Sequence, residues 1–419
     1  SEESFFKANV AFINNLKLRA SWGRLGNDQV YFNDVLREYD YLPTYAFGDR
    51  VSTNQGWGYV TNNQVSQTLY ENGVPNTNLT WEVADNADIG LEGAVLDGKL
   101  FFEFDVFQNE RSNILWRRNA SIPQTTGMTL PAENIGKVTN KGWEFKVGYD
   151  DQVGEFHYNV SVNGGYAKNT ITFWDETPGA PAWQRSTGQP MNTSLYYQYD
   201  GIYATEGDLD NNISPVTGLP LDYSGVGAST LRPGDMKFKD IGGPNNGGPD
   251  GKIDGNDQVR SSKNNQPRFQ GGLNIGAQFK GFDLTILFQG SAGGQIFLQT
   301  ESGTIGNFLA YSYDNRWTVD NPSTEHPRTV DRNNQYFSNG NTYWLKSTDY
   351  IRLKNVEIGY NLPETLANKV GITNLRLYVN GLNLVTWDKF DIFDPEAVSG
   401  SAQYYPQSRV INTGVTVTF

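Results

Sequence analysis

The sequence contains no cysteine and only two histidines. Without thiols there is no disulfide scaffold and no thiol chemistry. His157 and His326 stand far apart, outside any HExxH-like spacing, so each reads as a solvated or hydrogen-bonded side chain rather than a ligand or base. No run of 18 apolar residues occurs and mean hydropathy is −0.55. That excludes membrane-crossing helices. Basic residues are outnumbered, 33 Lys and Arg against 46 Asp and Glu, so the net charge is −13. A nucleic-acid partner, which needs a basic footprint, is disfavoured. Residues 1–12 lack the basic then apolar pattern of a signal peptide. A GxSxG elbow and a GxxxxGK[ST] phosphate loop are also missing.

Present instead are aromatics, at 13%, and 45 glycines, a mixture that suits strands and loops. The most informative stretch is 268–289, RFQGGLNIGAQFKGFDLTILFQ. Phe269, Leu273, Ile275, Ala277 and Phe279 alternate with Gln270, Gly272, Asn274, Gly276 and Gln278. After a tight turn at Lys280 and Gly281, Phe282, Leu284, Ile286 and Phe288 alternate with Asp283, Thr285 and Gln289. Leu287 is the apolar exception. One face is greasy and the other carries amides, over strands about as long as a bilayer crossing, the pattern of a transmembrane β-barrel.

Further strands are expected at 15–24, 86–95, 99–109, 139–150, 154–168, 349–361, 373–386 and 408–419, about ten in all. Turns are expected at Asp97 and Gly98 and at 151–153, and a short helix at 362–372, between Pro363 and Gly371. The connections alternate short and long, with long loops near 25–80, 171–266 and 292–347. Such parity belongs to barrels that keep short turns on one side of a membrane. The fold class is therefore all-β, an antiparallel up-and-down transmembrane barrel. The inward face should carry Lys17, Arg19, Glu92, Glu103, Asp105, Glu144, Lys146, Asp283 and Arg376 as a wet, ion-paired lining. Trp22 and Trp143 fall on the lipid side as girdle residues.

Two groups of loop residues could carry function. Trp57, Tyr59, Trp174, Trp183, Tyr196, Tyr197, Trp317, Trp344 and Trp387 could stack on sugar rings or apolar peptide side chains; loop packing or a girdle place is the competing role. NGGPDGKIDGND at 246–257 echoes a calcium loop, with Asp250, Gly251, Ile253, Asp254 and Asp257 at plausible positions. Asn246 stands where an Asp is expected, Gly248 offers no ligand and Asp257 replaces a bidentate Glu, so a plain Gly/Asp turn competes with Ca²⁺ binding. Phe419 ends an amphipathic strand and resembles a barrel-assembly signal.

Eight collinear segments resemble the C-terminal part of SusC-like TonB-dependent transporters. Among them are INNLKLRASWGRLGN, LTWEVADNADIGLEG, NIGKVTNKGWEFKVGY, STDYIRLKNVEIGYNLP and LYVNGLNLVTWDKFDIFDPE. The resemblance implies about ten C-terminal strands of a roughly 22-stranded barrel, with the N-terminal plug outside this sequence. It also implies an importer, not an enzyme, in the outer membrane of Gram-negative Bacteroidota. Its expected partners are a SusD-like surface lipoprotein, TonB and membrane lipid, and its cargo an oligosaccharide or peptide. Against the family, GGPNNGG looks inserted between Asp240 and Asp250, which adds Asp240 to the calcium candidates. The alternative is a secreted soluble β-protein with a calcium loop that binds or cleaves glycans.

Overall fold

The computed structural model describes residues 12–29, 31–33, 35–47, 59–61, 64–66, 68–71, 73–118, 130–228, 230–299, 309–329, 340–367, 369, 371–389, 392, 394–397, 405 and 407–419. Ten strands form one antiparallel sheet in chain order. They are β1 (Ile13–Asn27), β2 (Glu82–Val95), β3 (Leu100–Arg117), β4 (Ala132–Val153) and β5 (Phe156–Phe173). The meander continues through β6 (Phe269–Phe279), β7 (Phe282–Ala292), β8 (Tyr350–Asn361), β9 (Asn374–Asp388) and β10 (Val410–Thr418). The expected hairpin at 268–289 is β6 and β7, paired from Phe269–Ala292 to Phe279–Phe282.

One end of the sheet carries the tight links 96–99, 154–155 and 280–281 and the medium link 362–373; the other end carries every long one. Lys280 and Gly281 take φ of 49° and 86°, the left-handed pair of a type I′ turn. At the β4–β5 link the turn lies at 154–155, past the expected 151–153. Pairing runs on to Val153–Phe156, and Gly154, at φ 62°, supplies the bend. Of the expected helix at 362–372, the described residues show one α-helical turn, Glu364–Ala367.

The two faces differ as the alternation requires. Leu18, Trp22, Ile89, Ile358, Ile411 and Val415 all point outward and are more than half exposed, far too much apolar surface for a face in water. Aromatic rows bound this face. Trp143, Tyr166 and Phe269 are neighbours across β4, β5 and β6, with ring centroids 6.1 and 6.2 Å from Trp143. At the tight-turn end Phe156, Phe279, Phe282 and Tyr360 form the matching row, at 6.2 Å (Phe156–Phe279) and 4.6 Å (Phe282–Tyr360). Ten residue steps separate Phe269 from Phe279 on β6, about 33 Å along a strand. At a tilt of about 40° that becomes about 25 Å, the height of a lipid-facing band. The sheet is built to the thickness of a membrane.

The inner face is polar and ion-paired. Lys17 meets Glu92 at 2.8 Å and Arg19 meets Asp105 at 2.6 Å. Arg376 bridges Asp283 and Glu357, and His157 Nε2 meets Asp150 at 2.9 Å. Two of these pairs reach over a glycine. Arg19 crosses Gly90 to Asp105, and Arg376 crosses Gly359 to Asp283; a Cβ at either glycine would collide with both partners.

Candidate functional site at the loop end of the sheet

Loops rich in Tyr and Trp lower their free energy by burying those rings together. The described parts of 174–266 and 309–347 do so, forming a cap with its own core. Tyr197, Tyr203, Tyr223, Val226, Met236, Phe238, Ile253 and Trp344 are buried together. Short strand pairs frame it: Leu195–Tyr197 with Gln258–Arg260, and Tyr199–Ile202 with Met236–Phe238. The Tyr203 and Tyr223 hydroxyls lie 3.0 Å apart, and Tyr223 Oη accepts from the Phe238 amide. Arg328 closes on buried Asp235 at 2.7 Å.

This core uses several of the proposed ligand-stacking rings. Tyr197 stacks on Phe238 at 5.4 Å and Trp344 packs on Tyr343 at 4.7 Å, and both are buried. They are core residues, and burial pushes the Tyr197 phenol up to about 12. Trp183 Nε1 donates to the Asn256 carbonyl and Trp317 Nε1 to the Ala204 carbonyl. Tyr196 stacks on Phe297 at 5.7 Å. Trp387 stands on the outward face of β9, half exposed against Phe288, where a girdle residue belongs. Trp174 lies 4.3 Å from Trp116 and lines a cavity of about 740 Å³ with Phe173, Pro178, Glu176 and Arg260. Trp57 lies outside the described residues, and of Tyr59 only its place in the strand Tyr59–Thr61 is described.

The acidic turn is likewise occupied by the backbone. Asp257 is fully buried and accepts from the amides of Ile241, Gly242 and Asp254. Asp240 accepts from Asp250 and Gly251, Asp250 from Lys252, and Asp254 from Asn256. The Asn246 side chain lies outside what is described. Among the described residues no three His, Cys, Asp or Glu side chains converge as a metal site requires. The oxygens enlisted in the calcium reading accept backbone amides within the turn, as Asx caps do. Burial pushes the Asp257 carboxyl above its ordinary value, against the three amides that pull it down.

His326 joins the cap through Nδ1, 2.9 Å from the Tyr343 hydroxyl. Burial and then Lys346 hold its pKa below the ordinary 6.5. The unfolded chain therefore takes up a proton that the folded cap refuses, and stability falls as pH drops below about 6.5. Cap unfolding followed by Trp fluorescence should show this loss, and His326→Gln should flatten it. An unchanged pH slope in the variant would assign the loss to another group.

Sequence reasoning missed the densest polar cluster. Arg352, 1% exposed, donates through Nε to Thr386, through Nη1 to Glu396 and Gln407, and through Nη2 to Asp394 at 2.7 Å. Tyr350 donates to Glu396 at 2.7 Å. Strict alternation from Glu357 would put Arg352 in lipid. The pairing instead passes from Leu287–Asn355 to Phe288–Leu353, so Lys354 is an extra, bulged residue that turns Arg352 and Tyr350 inward. The signal was present: apolar Ile351 and Leu353 flank a charge that bilayer lipid would reject. Glu396 ends up below its ordinary value: burial alone would raise it, but Tyr350 and Arg352 overcome that. The cluster borders a cavity of about 970 Å³, lined by Glu144, Asn163, Gln270, Gln289, Tyr350 and Glu396 among others.

Comparison with known proteins agrees with this architecture. A family model described as "TonB dependent receptor-like, beta-barrel" matches residues 3–384. The TonB-dependent receptor P3 of Formosa agariphila is 28% identical over 418 residues, covering 95% of this chain and 37% of the relative. The TonB-dependent receptor SusC of Bacteroides thetaiotaomicron is 24% identical, covering 100% of this chain and 39% of its own length. The RagAB peptide importer in its open-open state superposes with a TM-score of 0.68 at 21% identity, over 99% of this chain and 41% of that one. The chain spans about two-fifths of the length of these relatives.

Proposed function

The chain belongs to the TonB-dependent receptor β-barrel family, and on that premise we propose that it forms part of the channel wall of a SusC-type nutrient importer in the outer membrane. TonB would supply the energy, a SusD-like lipoprotein would cover the loop end, and the cargo would be an oligosaccharide or a peptide. The observation that carries this reading is the sheet's two-sidedness: a girdled apolar band outside and an ion-paired, amide-rich wall inside. Among the described residues, strands β1 and β10 have one neighbour each in this sheet, which supports pairing with further strands of a larger barrel. Transport needs binding and passage, and no bond-breaking role is assigned to any side chain.

The test uses the full-length protein in its host. Growth on candidate oligosaccharides and on peptides as sole nutrient should identify a cargo whose uptake disappears when either the transporter gene or TonB is deleted. Uptake that survives loss of TonB would overturn the reading. A protein that stays monodisperse without detergent would favour the soluble glycan-binding alternative.

A further inference from the structure

The last long connection joins β9 to β10. Its described segment 394–397 is fastened to the inner wall by Gln289 of β7 and Tyr350 and Arg352 of β8, with Arg352 at the centre. The guanidinium donors Nε, Nη1 and Nη2 all have acceptors, two of them the carboxylates of Asp394 and Glu396. Gln407, at the other end of the same connection, accepts from Arg352 and donates to Glu396 at 2.7 Å. Asp394 also accepts from the Glu396 amide, folding the segment into a tight turn. Charge-assisted bonds of this kind are the strong ones. Breaking one partner of a buried pair leaves an uncompensated charge, which makes loss of the pair strongly destabilising.

The fastening decides what the segment faces. Pro395, Glu396 and Ala397 line the inner cavity together with Asn163, Gln270 and Glu144. We propose that Arg352 is a positioning residue for passage through the channel. It holds the 394–397 segment inward as a fixed wall of the cavity, so that the shape offered to cargo depends on a side chain that cargo does not touch. The function of the wall rests on the importer reading; the fastening itself rests on geometry alone.

The experiment exploits the absence of cysteine from this chain. In the full-length transporter, with any cysteine outside these residues replaced by serine, Ala397→Cys is exposed to a 5-kDa polyethylene glycol maleimide in detergent. Labelling should be slow with Arg352 present, at least tenfold faster with Arg352→Met, and intermediate with Arg352→Lys. A reference cysteine at Val216, on the exposed cap surface, should react at one rate in all three backgrounds. Equal labelling of Ala397→Cys in all backgrounds, or parallel acceleration at both positions, would overturn the proposal. Where Arg352→Met does not fold, Glu396→Ala breaks the same fastening from the loop side and should give the same acceleration. Cargo uptake is then compared in the variants that label fast. Altered uptake supports the positioning role, whereas unaltered uptake overturns it. Because labelling needs no cargo, failure of the importer reading would leave a distinct signature: fast labelling in a protein without TonB-dependent uptake.

Discussion

Replacing Ile286 with Arg is expected to cost the folded protein about 2–4 kcal/mol, the penalty for a cation at the bilayer midplane on a barrel's lipid face. Ile286 pairs with Ile275 and Val356, midway between the Trp143–Tyr166–Phe269 row and the Phe156–Phe279–Phe282–Tyr360 row. Leu284 lies one outward position nearer the turn row, so Leu284→Arg should cost less, because the arginine can reach the interface. Asn274→Arg, on the inner face beside Leu287, should be tolerated. Denaturant unfolding of the full-length protein in liposomes would rank the three. If arginine at 274 costs as much as arginine at 286, the assignment of faces is wrong.

The faces were legible because lipid and water impose opposite demands on alternate residues, and β6 and β7 obey with Leu287 as the single exception. Alternation stops being readable where a single residue breaks the count. The bulge at Lys354 inverts the phase of β8, so strict alternation misplaces Arg352 although Ile351 and Leu353 already require the shift. The turn expected at 151–153 failed for a related reason. Asp151 looks like a turn former, yet it is held by Lys99 at 2.7 Å and by Tyr149, and the strand continues past it. Loop aromatics were harder still. Stacking on a ligand and packing in a core favour the same side chains, and only the fold separates buried Tyr197 and Trp344 from Trp174 beside its cavity. Aspartates pose the same problem, since carboxylates that would ligate calcium also cap turns.

That last ambiguity leads to the second large effect. Asp257→Ala is expected to destabilise the cap by about 3 kcal/mol, because three amides, those of part-buried Ile241 and Asp254 and of buried Gly242, lose their acceptor at once. Asp257→Asn keeps an acceptor oxygen and should cost appreciably less. Its pH behaviour should be distinctive. The carboxyl is raised by burial, so its ionised form is the strained one. Its contribution is complete below the ordinary carboxylate range and declines as pH rises through the raised value. Acid should therefore not weaken the cap through Asp257, the opposite of its effect through His326. Trp183 is the natural reporter, since its indole donates to Asn256 beside the turn and its ring covers Gly242. Fluorescence-monitored unfolding of the full-length protein, with and without added Ca²⁺ or chelator, would measure the loss and test the metal separately. Ca²⁺ that raised the midpoint of the unsubstituted protein but not of Asp257→Asn would show that the turn gathers its oxygens around an ion after all. A midpoint indifferent to both additions, with the loss in Asp257→Ala intact, would establish the amide-capping role on its own.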